Sequence, residues 1–157
     1  MKELRASASA TVTASPERAL DLLEDVGGYP RWYPDVVRDV EVVREDARGR
    51  PRRARATLHA TVGPINRDFE LLLDVARDGD TVALERVAHG AADRERFEVV
   101  WEVAPAGSGA RIDLRLEAAL EVPRLVPVGG LGDSLASGFV AAAARELGGG
   151  PAGSGRQ

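Results

Sequence analysis

The sequence contains no cysteine and only two histidines, His59 and His89, in 157 residues. Disulfides, thiolate chemistry and a structural zinc site are therefore excluded, and no metal or other cofactor is expected. Long apolar runs are also missing. None approaches the ~20 residues that cross a bilayer, and Met1-Lys2-Glu3-Leu4-Arg5 lacks the apolar core of a signal peptide. The expectation is a cytoplasmic protein without stable membrane insertion. Positive charge is not in excess: 21 Lys and Arg stand against 25 Asp and Glu, a net charge of −4, which offers nucleic acid no electrostatic footprint. Aromatic residues are scarce at 4%, so the places where they collect carry information.

What remains is a globular composition, 44% hydrophobic and 29% charged. Its length suits a single domain that buries roughly 70% of the surface of its unfolded chain, enough for a core with a cavity. One basic stretch, Arg48 to Arg55, carries five arginines in eight positions. Because it flanks a Gly/Pro turn, it reads as a solvated hairpin tip rather than a phosphate site.

Residues 3 to 13 alternate strictly, with Leu4, Ala6, Ala8, Ala10 and Val12 on one face, the period of a half-buried strand. Ser15-Pro16 then opens a helix. Ser15 can cap free N–H groups, and Pro16 suits the first helical position, where its missing donor costs nothing. The helix carries Ala19, Leu20, Leu22, Leu23 and Val26 and stops at Gly27-Gly28. The segment Tyr29-Pro30-Arg31-Trp32-Tyr33-Pro34 follows, and its prolines allow only a short helical turn.

From Asp35 to Pro123 the pattern is a strand meander, with strands expected at 36–44, 52–62, 67–75, 81–87, 94–103 and 111–122. Connections of hairpin length make neighbours antiparallel. Parity puts Ala54, Ala56, Leu58 and Ala60 on the same side as Phe69, Leu71 and Leu73. Phe97, Val99 and Trp101 join them, as do Ile112, Leu114 and Leu116. Arg53, Arg55, His59, Asp68, Glu70, Asp74, Asp113 and Arg115 fall opposite, so one face is wet and the other needs a cover. The helix expected over 130–147 supplies it, through Leu131, Leu135, Phe139 and Ala142, with Asp133 near its positive end. Domain boundaries are read as 1–147, followed by a disordered Gly/Pro/Ser tail at 148–157.

The order of strand, two short helices, six strands and one long helix is that of an α+β helix-grip fold, a seven-stranded curved antiparallel sheet wrapped around a C-terminal helix. Ala14-Ser15-Pro16-Glu17, the run from Leu22 through Pro34, and Trp101-Glu102-Val103 followed by a Gly turn and Arg111-Ile112 carry a family resemblance. Over residues 3 to 147 the chain resembles the START-like or Bet v 1-like (SRPBCC) superfamily, in particular its polyketide cyclase/dehydrase and lipid-transport group. The resemblance implies a pocket between sheet and helix for a lipid, polyketide, quinone or similar molecule. It further implies that a cyclase would place Ser and Arg on the inner face of the strand at 67–75 and a Tyr just beyond the Trp-Pro-like segment. The matching positions here are Leu71, Leu73 and Val36, a departure that weighs against cyclase chemistry.

Within such a pocket the expected ligand-binding residues are Trp32, Tyr33, Leu58, Phe69, Leu71, Leu73, Leu84, Arg86, Phe97, Trp101, Leu114, Leu116, Leu135 and Phe139. Arg86 shares parity with Val82 and Leu84 and is the candidate catalytic residue, able to polarise a carbonyl or bind a carboxylate. The opposing reading turns it outward at a bulge or pairs it with Glu85 or Glu95. Arg67 and Arg94 fall near the pocket mouth. Trp101 reads as either cavity wall or core edge. The inward alanines Ala6, Ala8, Ala10, Ala54, Ala56 and Ala60 leave space either for a ligand or, with Gly138 beside Phe139, for close approach of the helix. Binding of a small hydrophobic or amphipathic molecule leads. A cyclase, aromatase or dehydratase working by acid–base catalysis, and an interaction protein using its outer surface, are the alternatives.

Overall fold

The computed structural model describes residues 1–62, 64–121 and 129–149. Strand β1 spans Lys2–Val12 and leads into helix α1, Pro16–Glu24, where the Ser15 hydroxyl accepts the Arg18 N–H at 3.2 Å. A short 3₁₀ turn, Val26–Gly28, and the single-turn helix α2, Tyr29–Trp32, follow. Strands β2 (Val37–Glu45), β3 (Pro51–Val62), β4 (Ile65–Asp78), β5 (Thr81–Arg86), β6 (Arg96–Ala106) and β7 (Gly109–Leu120) form the meander, and α3 (Leu131–Glu146) closes it. The expected strand near 67–75 is longer at both ends than its apolar core suggested. The end expected at Val122 lies outside the described residues. No helix among the described residues is long and apolar enough to cross a membrane.

All seven strands join one antiparallel sheet in the order β1-β7-β6-β5-β4-β3-β2. The first and last strands of the chain therefore pair, Ala6 opposite Leu116 and Ala10 opposite Ile112. At the other edge, the β2–β3 register slips at Val37/Asp39, Val42/Arg44 and Arg44/Glu45, and such bulges bend a strand and deepen its twist. The result is a concave, apolar inner face and an outer face laced with ion pairs, among them Arg53–Asp74 at 2.7 Å and Arg55–Glu41 at 3.0 Å.

Helix α3 lies chiefly over β1, and small residues make that possible. A side-chain carbon on Gly132 would already be 3.5 Å from the Ala6 methyl. For Ala6, close approach of the helix is thus the use made of a small side chain. Gly138 serves a different end from the one expected of it. It clears room for the Tyr33 hydroxyl, into which any side chain at 138 would run.

The C-terminal end of α3 is pinned. Gly148 takes a left-handed φ of 81°, Gly149 N–H donates to the Ala144 carbonyl at 2.7 Å, and Ala14 N–H donates to the Leu147 carbonyl at 3.2 Å. These contacts continue through Gly149, two residues beyond Leu147. The rest of the expected tail, 150–157, lies outside the described residues.

The arginine-rich stretch is also corrected by the structure. Glu24, at the end of α1, is 2% exposed, and its carboxylate accepts hydrogen bonds from Arg50, from Arg52 at 2.8 Å and from Arg77 at 2.9 Å. Arg77 also reaches Asp21 at 2.8 Å. Two arginines of the supposed solvated tip are therefore staples that hold α1 against the ends of β3 and β4. Burying a carboxylate is unfavourable unless several donors face it, and here three guanidinium groups do.

Candidate functional site

Among the described residues, two cavities lie between the concave face and α3. The inner one, of about 30 Å³, is bounded by Val26, Tyr29, Val37, Val40, Ala54, Ala56, Leu58, Leu73, Val75, Leu84, Phe97, Val99 and Phe139. The outer one, of about 100 Å³, lies toward the N-terminal end of α3. Leu4, Val36, Leu58, Ala60, Phe69, Leu71, Phe97, Ala118, Leu120, Leu131 and Leu135 line it, with His59, Glu70, Arg86 and Glu95 as its polar members.

Nine of the residues expected at a binding site border this space. Phe69, Leu71, Arg86 and Leu135 border the outer cavity, Leu73, Leu84 and Phe139 the inner one, and Leu58 and Phe97 both. Trp32, Tyr33, Trp101, Leu114 and Leu116 border neither and belong to the packed core. Sheet parity selects the inward face but not the row along a strand at which packing gives way to space. The open choice for Trp101 thus falls to the core, where it is 0% exposed. The small side chains of Ala54 and Ala56 border the inner cavity, so on β3 small size does leave room.

Phe139 organises the aromatic cluster. Its ring meets Tyr33, Tyr29 and Trp101 edge-on at centroid distances of 4.6, 6.2 and 6.4 Å, and Trp32 stacks on Tyr33 at 6.5 Å. The Tyr29 hydroxyl donates to the Leu23 carbonyl at 2.6 Å, and complete burial pushes its pKa far above the ordinary phenol value. The nearby Trp101 N–H opposes this shift, and the Trp101 and Trp32 N–H groups are both buried with no hydrogen-bond partner among the described residues. Burial, aided by the Asp35 charge, pushes the Tyr33 phenol up to about 12. Neither phenol is a ready acid at neutral pH.

Arg86 ends β5 opposite Leu73, and its side chain points inward, 6% exposed. Its Nη1 donates to Asp93 Oδ1 at 3.0 Å and to the Glu95 carbonyl at 2.9 Å, and its Nη2 to Asp93 Oδ2 at 2.7 Å. The outward-turned reading is thereby excluded, and the main partner is Asp93, which the sequence pattern did not single out. Asp93 sits in an irregular loop, where alternation has no meaning. The loop is shaped around the guanidinium, because Asp93 also accepts the N–H groups of His89 at 2.8 Å and Glu95 at 3.1 Å. The Arg86 hydrogen bonds, then these backbone donors, hold the Asp93 carboxyl well below the usual carboxylate range. The Arg86 Nε–H has no partner among the described residues, and the side chain borders the outer cavity.

At the mouth, the Arg67 guanidinium lies 5.2 Å above the Phe69 ring centre, and Arg94 is exposed. His59 Nδ1 pairs with Asp68 at 2.7 Å on the outward parity and meets the cavity only at its rim. His89 is exposed.

Solved structures share this architecture. A START superfamily protein from Mycobacterium smegmatis matches with a TM-score of 0.69 at 18% identity, covering 91% of this chain and 96% of that one. The Zhui aromatase/cyclase from Streptomyces sp. R1128 gives 0.65 at 15% identity, with 93% and 94% covered. The lipid transfer and protein localization domain of human StarD13 gives 0.60 at 21% identity, with 94% and 77% covered. At these identities the likeness speaks for the fold alone. No curated protein matches the sequence. The family model described as polyketide cyclase / dehydrase and lipid transport matches residues 3–149, nearly the whole described domain, and the chain belongs to that family.

Proposed function

We propose that this domain binds a small hydrophobic or amphipathic molecule between the sheet and α3, and that it holds its guest without transforming it. The observation that carries this reading is the outer cavity, apolar on most sides, with the buried Arg86 side chain among its lining residues. Such a lining, many apolar groups and few fixed polar ones, is that of a small-molecule site. Against catalysis stand the raised phenols, the outward His59, and an Arg86 already committed to Asp93.

Native mass spectrometry of gently purified protein, together with thermal shift across lipids, quinones and polyketide mimics, tests the reading. A bound species, or a ligand-dependent rise in melting temperature that Arg86→Met diminishes, is expected. Protein that is always empty, with no shift from any compound, overturns it.

One observation favours a second reading, a cyclase or dehydratase: the Arg86 Nε–H, without a partner among the described residues, could polarise a carbonyl. That reading requires turnover of a poly-β-ketone mimic that is lost in Arg86→Met. An interaction role for the outer surface draws less support, since the exposed large hydrophobics among the described residues are only Met1 and Val43.

A further inference from the structure

Strand β5 is the shortest of the sheet, 6 residues between the 14 of β4 and the 11 of β6. Its ladder with β4 ends at Leu73 opposite Arg86, with one more bond from the Val87 N–H to the Leu72 carbonyl at 2.7 Å. On its other side β4 stays paired with β3 back to Ile65. Residues 66–71 of β4 therefore border a gap in the sheet where β5 has stopped. Residues 88–92 of the β5–β6 connection are exposed and make no backbone hydrogen bond to β4. Alternation tells which groups face the gap. The Leu72 carbonyl points towards β5, and the His59 N–H, opposite Asp68, turns away from β4 to the Val36 carbonyl at 2.7 Å. Both observations put the N–H and C=O groups of Asn66, Asp68 and Glu70 on the gap side, where they have no partner among the described residues. The outer cavity reaches this edge, since Glu70 lines it although its side chain belongs to the outer face.

We propose that this edge of β4 is a docking slot for a short extended segment of a partner protein, held by main-chain pairing and alternating aliphatic with polar residues. Free strand edges recruit added strands in this way, and the mode needs neither an exposed apolar patch nor a guest in the cavity. The segment runs antiparallel to β4, on the line that β5 leaves. It is short because three residues, each with one donor and one acceptor, face it. Phe69 and Leu71 turn inward, so aliphatic side chains suit the positions opposite them, where the pairs are not hydrogen-bonded and side chains approach more closely. Arg67, over the Phe69 ring, and the inward Arg86 disfavour a cation there. On the outer face Asp68 is taken by His59 at 2.7 Å, whereas Glu70 has no ion-pair partner among the described residues. One lysine or arginine opposite Glu70 therefore fits. Arg94 and Arg96, exposed at the β6 side of the gap, disfavour a second. The chain's own edge strands suit the slot poorly, because α3 lies over β1 and β2 is bulged.

The probe is the capped hexapeptide Val-Lys-Val-Thr-Val-Thr, whose lysine falls opposite Glu70, titrated into nitrogen-15-labelled protein and followed by amide NMR. Shifts and slowed hydrogen exchange should centre on the Asp68 and Glu70 amides. N-methylation of the lysine amide, which removes one main-chain donor facing β4 and leaves every side chain, should weaken binding at least about fivefold. Glutamate in place of the lysine should weaken it about threefold, and Glu70→Lys should invert that preference. The N-methyl comparison uses the unmodified protein, so it stays decisive if Glu70→Lys fails to fold. No shift at millimolar peptide, shifts centred elsewhere, or equal binding of the N-methylated peptide overturns the slot. Equal binding of the lysine and glutamate peptides overturns the charge preference. A dimer of the protein alone that protects the same amides assigns the edge to a second copy and overturns the partner segment.

Discussion

Replacing Glu24 tests whether the arginine staple holds the first helix to the sheet. The carboxylate is 2% exposed and faces Arg50, Arg52 and Arg77. Removing one member of a fully buried ion pair costs about 3–5 kcal/mol, because the partner is left charged and dry. Here the arginine side chains are 38%, 25% and 15% exposed, and Arg77 keeps Asp21 at 2.8 Å, so water and a second carboxylate soften the loss. About 2–3 kcal/mol, below that range, is therefore expected for Glu24→Ala at neutral pH. For a domain of this size that lowers the melting temperature by about 5–10 °C.

The loss should also depend on pH in a fixed direction. Burial alone raises the Glu24 pKa, but the hydrogen bonds from Arg77, Arg52 and Arg50 outweigh it and the net shift is downward. A depressed carboxyl stabilises the fold fully above its unfolded value of about 4.5 and loses that contribution as pH falls through the folded value. Urea denaturation followed by tryptophan fluorescence should thus show the gap between Glu24→Ala and the unmodified protein narrowing in acid. Glu24→Gln, similar in size, separates charge from packing and should lose most of the same stability. A deficit under about 1 kcal/mol at neutral pH, or one that stays constant into acid, would refute the staple.

Four further outcomes are expected. Gly138→Ala gains up to about 1 kcal/mol of helix propensity but drives its methyl into Tyr33 Oη, so it should destabilise by about 1–2 kcal/mol net. Tyr33→Phe in the same chain should recover part of that loss, and a double-mutant cycle without coupling refutes the contact. The protein has two tyrosines, both buried, and their raised pKa values contribute stability that is complete below about 10 and lost as pH rises through about 12 for Tyr33 and higher still for Tyr29. An alkaline absorbance titration of the native protein should accordingly show no tyrosinate near pH 10; ionisation there would place a phenol in water. Phe139→Ala, which removes the ring at the centre of the aromatic cluster, should cost about 3–5 kcal/mol and change the tryptophan emission. Asp93→Ala should lower the melting temperature more than Arg86→Met, because the first strands a buried cation and the second removes it; the reverse order would mean that Arg86 reaches water.

Alternation and capping made most of the fold legible. Ser15-Pro16 opens α1, the parity of β3, β4, β6 and β7 faces the core as read, and α3 closes the sheet. These signals are local: a period of two or of 3.6 is a property of neighbouring residues, so it survives without knowledge of the rest of the chain. The candidate site was legible in part for the same reason. Parity brought Leu58, Phe69, Leu71, Leu73, Leu84, Arg86 and Phe97 to the inner face, but it placed Trp101, Leu114 and Leu116 there on equal terms, though these three pack solidly.

What the sequence by itself determined, then, is the set of elements and the face each strand turns inward, while the aim of Arg86 was left open. Only the tertiary structure decided that Asp93 would meet that arginine, that Glu24 would gather three others, and that Gly138 would yield to Tyr33. Each of these pairings joins different elements or an irregular loop, and the partner is chosen by where the backbone brings it in space. Burial then makes the choice binding, because a charge or hydroxyl removed from water must find its partner among whatever groups the fold has placed within reach.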